Sequence, residues 1–220
     1  MVESQFPSDM LDNIESGGVV SVLIIEEVEH AVPLAQALLA GGVNAMELTL
    51  RTDAAIEGLR RIREQVPEML AGIGTVLNEG QIDEIIDAGA QFAVSPGLNA
   101  KVVKKAQEAG LPFAPGVMTP SDIEAAIELG CRELKFFPAE PSGGLTTLNS
   151  IRAPYAHLGV RFIPLGGVNA GNMETWLQND GVFAVGGSWL TPKEAVRSGD
   201  WNEVTRRAAE AREIADRVGA

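Results

Sequence analysis

The chain has one cysteine, Cys131, so it can form no intrachain disulfide. A lone thiol supplies no oxidative framework and agrees with a reducing compartment; a buried, inert role is expected for it. Histidine is almost as scarce. His30 and His157 stand apart from each other and from the cysteine, so the clustered ligands of a transition-metal site are missing, and both imidazoles are expected at the surface. Basic residues are outnumbered, with 17 Lys and Arg against 30 Asp and Glu and a formal net charge of -13. Such a chain is repelled by phosphate backbones and anionic lipid, which removes nucleic acid and membrane surfaces from its expected partners. No apolar run is long enough to span a bilayer, and residues 1–10 lack the basic region and apolar stretch of a secretory signal. A soluble, unprocessed, cytoplasmic protein is the expectation.

What is present is a regular alternation. Hydrophobic residues make up 45% of 220 positions, enough for one sizeable core, and no linker or low-complexity segment divides the chain, so residues 1–220 read as a single domain. Short β-rich runs are predicted at 19–25, 45–50, 70–73, 92–94, 113–114, 133–137, 161–164 and 182–185. Helical patterns follow them at 31–40, 53–65, 79–88, 100–109, 120–129, 145–150, 171–177 and 201–217, several closed by glycine. A further helix at 8–15 precedes the first strand. Eight βα units in this length predict a (β/α)₈ TIM barrel with an extra N-terminal helix. The second choice is a doubly wound open sheet, disfavoured because no G-x-G-x-x-G follows the first strand.

In a barrel, the strand ends and the loops after them form the catalytic face. Here those segments hold Glu47 and Arg51; Gly72, Gly74 and Thr75; Ser95-Pro96-Gly97; Pro115-Gly116; Lys135; Gly166-Gly167; and Gly186-Gly187-Ser188. Strand alternation puts Glu47, Thr49 and Arg51 on one side of their strand and Lys135 with Glu133 and Phe137 on one side of another. Burial disfavours a charged amine, so a lysine set among phenylalanines offers a neutral nucleophile. Such an amine attacks a ketone to give a carbinolamine and then an iminium, an electron sink for breaking the adjacent carbon–carbon bond. Glu47 is the candidate proton shuttle and Arg51 the candidate anion clamp. The plainer alternatives are an ion pair of Lys135 with Glu47 or Glu133, and of Arg51 with Glu47. Glycine-rich turns after the last two strands let backbone amides approach a phosphate; tight turns are the plainer alternative.

The motifs Glu47-Leu48-Thr49-Leu50-Arg51-Thr52, Gly72-Ile73-Gly74-Thr75-Val76-Leu77, Ser95-Pro96-Gly97-Leu98, Leu134-Lys135-Phe136-Phe137-Pro138-Ala139-Glu140 and Gly186-Gly187-Ser188-Trp189-Leu190, taken in order, resemble the 2-keto-3-deoxy-6-phosphogluconate (KDPG) aldolases, including those that also act as 4-hydroxy-2-oxoglutarate aldolases. The resemblance covers nearly the whole chain. It implies a class I lyase that reversibly splits the keto-deoxy-sugar phosphate into pyruvate and glyceraldehyde 3-phosphate in the Entner–Doudoroff route, and that splits 4-hydroxy-2-oxoglutarate into pyruvate and glyoxylate. No cofactor is expected, and no metal, given the lack of clustered ligands. By this resemblance Lys135 is the Schiff-base lysine and Glu47 the general acid/base, working partly through water. Arg51 and Thr75 would hold the pyruvate portion, Pro96 and Phe137 would be its apolar walls, and Gly166, Gly167, Gly187 and Ser188 would form the phosphate end. A homotrimer is implied as well. One segment departs from the family: Pro164-Leu165-Gly166-Gly167-Val168-Asn169 stands where Pro-Thr-Gly-Gly-Ile-Ser or a close variant is usual, and the change at Leu165 removes a threonine hydroxyl while leaving the imine machinery untouched. The remaining alternatives are the same chemistry on the galactonate epimer or another 2-keto acid, and a non-catalytic phosphate-binding barrel.

Overall fold

The strand that carries Glu47 is buried at all five positions, the glutamate included. A strand loses both faces to solvent only when other layers cover both sides, as in parallel sheets whose crossovers are helices. The structure, a computed structural model describing residues 4–219, contains two such sheets. Val19–Leu23 (β1), Ala45–Thr49 (β2), Leu70–Gly74 (β3), Ala93–Val94 (β4) and Phe113–Ala114 (β5) lie in sequence order, with Val185–Gly187 (β9) on the far side of β1. Gly116–Val117 (β6), Glu133–Phe136 (β7) and Arg161–Pro164 (β8) form the second sheet. Every ladder is parallel.

This arrangement corrects the expected TIM barrel, since the strands do not close into one eight-stranded ring. The predicted strand at 113–114 runs on past Pro115 and is split by it. Proline has no N–H to give a ladder, so β5 pairs with β4 while β6, just beyond, pairs with β7. The other seam lies between β8 and β9. There the predicted strand at 182–185 is displaced to Val185–Gly187, and at this seam the strand pairing is reduced to isolated bridges, Phe162 to Val182 and Leu165 to Gly186. The doubly wound alternative fails too. Its order would reverse in mid-sheet, whereas the larger sheet runs β5-β4-β3-β2-β1-β9 without reversal.

Ten α-helices connect and cover these strands among the described residues: Ser8–Gly17 (α1), Ala31–Ala40 (α2), Ala54–Gln65 (α3), Glu79–Asp87 (α4), Ala100–Glu108 (α5), Pro120–Glu128 (α6), Gly144–Arg152 (α7), Met173–Leu177 (α8), Lys193–Ser198 (α9) and Trp201–Val218 (α10). Helix α8 starts two residues later than predicted, because Asn169 Oδ1 accepts from the Gly171 N–H and Asn172 Oδ1 from the Asn169 N–H, holding 169–172 as a turn. Helix α9, six residues long, was too short to show as a periodic pattern.

The core has two parts. Outward-facing residues such as Met46, Leu48 and Phe136 pack under the helices, while Val20, Ala45, Leu70, Phe92, Ile163 and Phe183 meet between the inner faces of the two sheets. Phe6, Leu11 and Ile14 join that inner cluster. Each contributes on the order of 1.5–3 kcal/mol. Together with Arg161, which bonds Glu15 at 2.7 Å at the start of β8, they hold α1 across the strand N-termini. Cys131 is buried, and burial, reinforced by the charge of Glu133, pushes its thiol up to about 12. His157 is exposed, whereas His30 is half-buried, edge-on to Trp201 at 5.5 Å. Among the described residues no helix is long and apolar enough to cross a membrane, and no three His, Cys, Asp or Glu side chains converge as metal ligands.

Candidate active site

Because β2 runs between β1 and β3, with Val22 and Gly72 flanking Glu47 in register, the glutamate is fixed on the inner face. Lys135 is fixed similarly. Its backbone N–H donates to the Pro115 carbonyl at 3.0 Å, and Gly116 and Ile163 flank it on the second sheet. The two side chains meet across the gap between the sheets. Lys135 Nζ donates to Glu47 Oε1 at 3.0 Å and Oε2 at 3.3 Å, with the residues only 5% and 2% exposed. The Phe137 ring centroid lies 5.5 Å from Nζ, within cation–π range. Lys101 and Lys104 are exposed, and Lys105 pairs with Asp83 at 2.9 Å, so among these four lysines Lys135 alone sits in a low-dielectric setting.

The ion pair weighed against the nucleophile is therefore present, with Glu47 rather than Glu133 as partner. Glu133 points to the closed end, where its Oε2 accepts from Ser4 Oγ at 2.7 Å. The two readings are compatible: passing a proton from the ammonium to the carboxylate yields a neutral amine beside its own acid.

A cavity of about 220 Å³ opens at the strand C-termini, and all ten site residues predicted from the sequence line it. Glu47 and Lys135 form its floor. Arg51 stands at the mouth, exposed and with no ion-pair partner among the described residues, so its guanidinium fork is available to an anion. Thr75 reaches the wall through a left-handed backbone, φ 63°, which for a β-branched residue costs about 1–3 kcal/mol. Pro96 is carried on a turn tied by Ser95 Oγ donating to the Gly97 carbonyl at 2.6 Å. Phe137 supplies the opposite apolar wall.

Gly166 and Gly167 are consecutive left-handed residues, φ 96° and 86°. A β-carbon at Gly167 would lie 2.6 Å from Glu140 Cβ, and one at Gly187 would lie 2.2 Å from the Trp189 ring, so both loops need glycine to pack. Ser188 follows on a turn closed by the Thr191 N–H donating to its carbonyl at 3.2 Å, with α9 starting only at Lys193. Sequence reasoning missed Val22, Ile24 and Val168, which also line the cavity. Aliphatic residues near strand ends carry no signal that separates a cavity wall from a core.

Chemically the cavity combines a buried amine, a carboxylate hydrogen-bonded to it at 3.0 Å, a guanidinium with no ion-pair partner among the described residues and a glycine-rich rim. A profile of the KDPG and KHG aldolases matches residues 11–207. The chain belongs to that aldolase family. It is 46% identical over 198 residues to a 2-dehydro-3-deoxy-phosphogluconate aldolase of Dickeya dadantii, and 44% identical to a KHG/KDPG aldolase of Escherichia coli K12, each pairing covering 90% of this chain and 92% of the relative. Among solved structures, a KDPG aldolase from Legionella pneumophila with pyruvate captured as a covalent carbinolamine superposes with a TM-score of 0.86 at 37% identity, covering 90% of this chain and 96% of that one. The matched span, residues 11–207, includes both sheets and every residue that lines the cavity.

Proposed function

We propose that this chain is a class I aldolase that reversibly cleaves 2-keto-3-deoxy-6-phosphogluconate to pyruvate and glyceraldehyde 3-phosphate, with 4-hydroxy-2-oxoglutarate as a second substrate split to pyruvate and glyoxylate. The single observation that carries this is the buried Lys135–Glu47 pair at 3.0 Å on the cavity floor. Lys135 attacks the C2 ketone, and loss of water gives the iminium. Glu47 takes the proton of the C4 hydroxyl as the C3–C4 bond breaks; the electron pair passes into the enamine, and the aldehyde departs. Glu47 then returns its proton to C3, and hydrolysis of the imine frees pyruvate and restores the amine. Arg51 and Thr75 hold the pyruvate carboxylate, Pro96 and Phe137 enclose its methyl end, and Gly166, Gly167, Gly187 and Ser188 receive the phosphate through backbone amides and a hydroxyl. Trapping with pyruvate and borohydride, followed by mass mapping, tests the assignment.

Leu165 bears on the substrate. It lines the cavity, 4% exposed, and its side chain fills the space above Gly186, where a β-carbon would lie 2.6 Å from its Cγ. An alkyl group there gives no hydrogen bond to a hydroxyl of the sugar chain, and a neutral bond of this kind is worth about 1 kcal/mol, about fivefold in kcat/KM. The wild type is expected to turn over the gluconate and galactonate epimers at C4 with little preference, and Leu165→Thr to restore a preference for gluconate. Comparing kcat/KM for both epimers decides this: a strong gluconate preference that Leu165→Thr leaves unchanged shows that position 165 does not read the hydroxyl.

We also propose a cytoplasmic homotrimer. Closed symmetric assemblies are the rule for soluble oligomers, and a phosphorylated substrate does not cross a bilayer unaided. Light scattering at assay concentration is expected to return a mass near three times the 23.3 kDa of one chain. A monomer mass removes the trimer.

A further inference from the structure

Positions 74 and 75 carry residue types opposite to those their backbone favours. Thr75, β-branched, occupies the left-handed region that suits glycine, with φ 63°. Gly74, just before it, has a φ outside that region, so its backbone places no demand for glycine. The demand is one of space. A β-carbon on Gly74 would lie 1.7 Å from Glu47 Oε1, 2.4 Å from Cδ and 2.7 Å from Cγ. Oε1 is the oxygen 3.0 Å from Lys135 Nζ. The β2–β3 register explains the overlap: Gly72 stands opposite Glu47 and Gly74 opposite Thr49, so the glutamate, leaning along its strand, lays its carboxylate over the inner face of Gly74.

We propose that Gly74 is a positioning residue for the aldol reaction: by leaving its inner face empty it gives the Glu47 carboxylate the one place from which it reaches Lys135 and the carbons beside the imine. The proposal rests on Glu47 being the acid/base group. With alanine at 74, the conflict falls on the end of a flexible side chain rather than on backbone, so the strand keeps its course and the carboxylate swings away. Imine formation at Lys135 survives and proton transfer at the adjacent carbon is lost. A displacement of this size, about 1 Å, is worth about a hundredfold in rate.

The test compares full-length wild type, Gly74→Ala, Glu47→Gln and the double variant, each incubated with pyruvate and borohydride and, separately, with pyruvate in deuterated water. Gly74→Ala is expected to be labelled at Lys135 but to exchange the pyruvate methyl protons about a hundredfold more slowly than wild type. Adding it to Glu47→Gln should slow exchange no further, because it acts through that side chain. Slow exchange in Glu47→Gln with full-rate exchange in Gly74→Ala overturns the role of Gly74 alone, as does an equal slowing by Gly74→Ala in both backgrounds. Full-rate exchange in Glu47→Gln overturns the acid/base reading and the proposal with it. If Gly74→Ala yields no folded protein, the same substitution in a Glu47→Ala background decides by thermal melting. Truncation vacates the space, so the double variant is expected to fold and melt close to Glu47→Ala; failure to fold there shows that the fold, rather than the carboxylate, requires the glycine.

Discussion

Lys135→Ala is expected to lose aldol cleavage entirely, together with all covalent labelling by pyruvate and borohydride. The amine is the only group on the cavity floor that can form an imine, and without the iminium the electron pair of the breaking C3–C4 bond has no sink. The substitution also strands Glu47, 2% exposed, without its cation. Breaking a buried pair from one side destabilises by about 3–5 kcal/mol, which in a chain of this length lowers Tm by on the order of 10 °C. Lys135→Met, which fills the space, is the companion variant; it should be equally inactive, so that inactivity does not reduce to instability. Assays run well below both melting temperatures separate the two effects. Undiminished cleavage in either variant, or a borohydride label that maps to another lysine, sinks the imine mechanism.

Glu47→Gln is expected to separate two steps that the wild type links. The amide keeps the shape and still accepts a hydrogen bond from Lys135 Nζ, so pyruvate should still be trapped at Lys135. It cannot carry a proton, so turnover should fall by about a hundred- to ten-thousand-fold, the usual span of a general acid/base contribution. Exchange of deuterium from solvent into the methyl group of pyruvate isolates that step from carbon–carbon cleavage. Were exchange in Glu47→Gln to run at the wild-type rate, another group would be the base.

Which strand residues face the cavity was legible because strands write their faces in a period of two. From the alternation in Glu47-Leu48-Thr49 it follows that Glu47 and Thr49 share a side, and both line the cavity; Arg51 lines it too, but from the turn after β2, where the period of two no longer applies. The same alternation puts Lys135 and Phe137 together. What local pattern does not carry is distance through space. Lys135 and Glu47 are 88 residues apart, and whether they pair or merely face the same cavity depends on which strands oppose each other across the gap. Glu47 rather than Glu133 became the partner because Glu133, two residues before Lys135, lies at the other end of β7, where it accepts from Ser4 and neighbours Arg161.

The sheet itself shows the same division. Eight β-rich runs followed by helices are a sequence property, and parallel pairing follows from the crossovers. Closure is a property of the assembled strands. Pro115 is visible in the sequence, but its effect, a ladder handed from β4 on one side to β7 on the other, exists only once both neighbours are in place. The seam between β8 and β9 has no sequence mark at all, since it is set by where Leu165 and Gly186 come to rest against each other. The chain by itself determined residue types, faces and the order of elements, because these depend on torsions and contacts only a few residues apart. Tertiary structure decided the register, the seams, and that the Glu47 carboxylate lies over Gly74 and beside Lys135, because those are settled by packing between segments that the sequence keeps far apart.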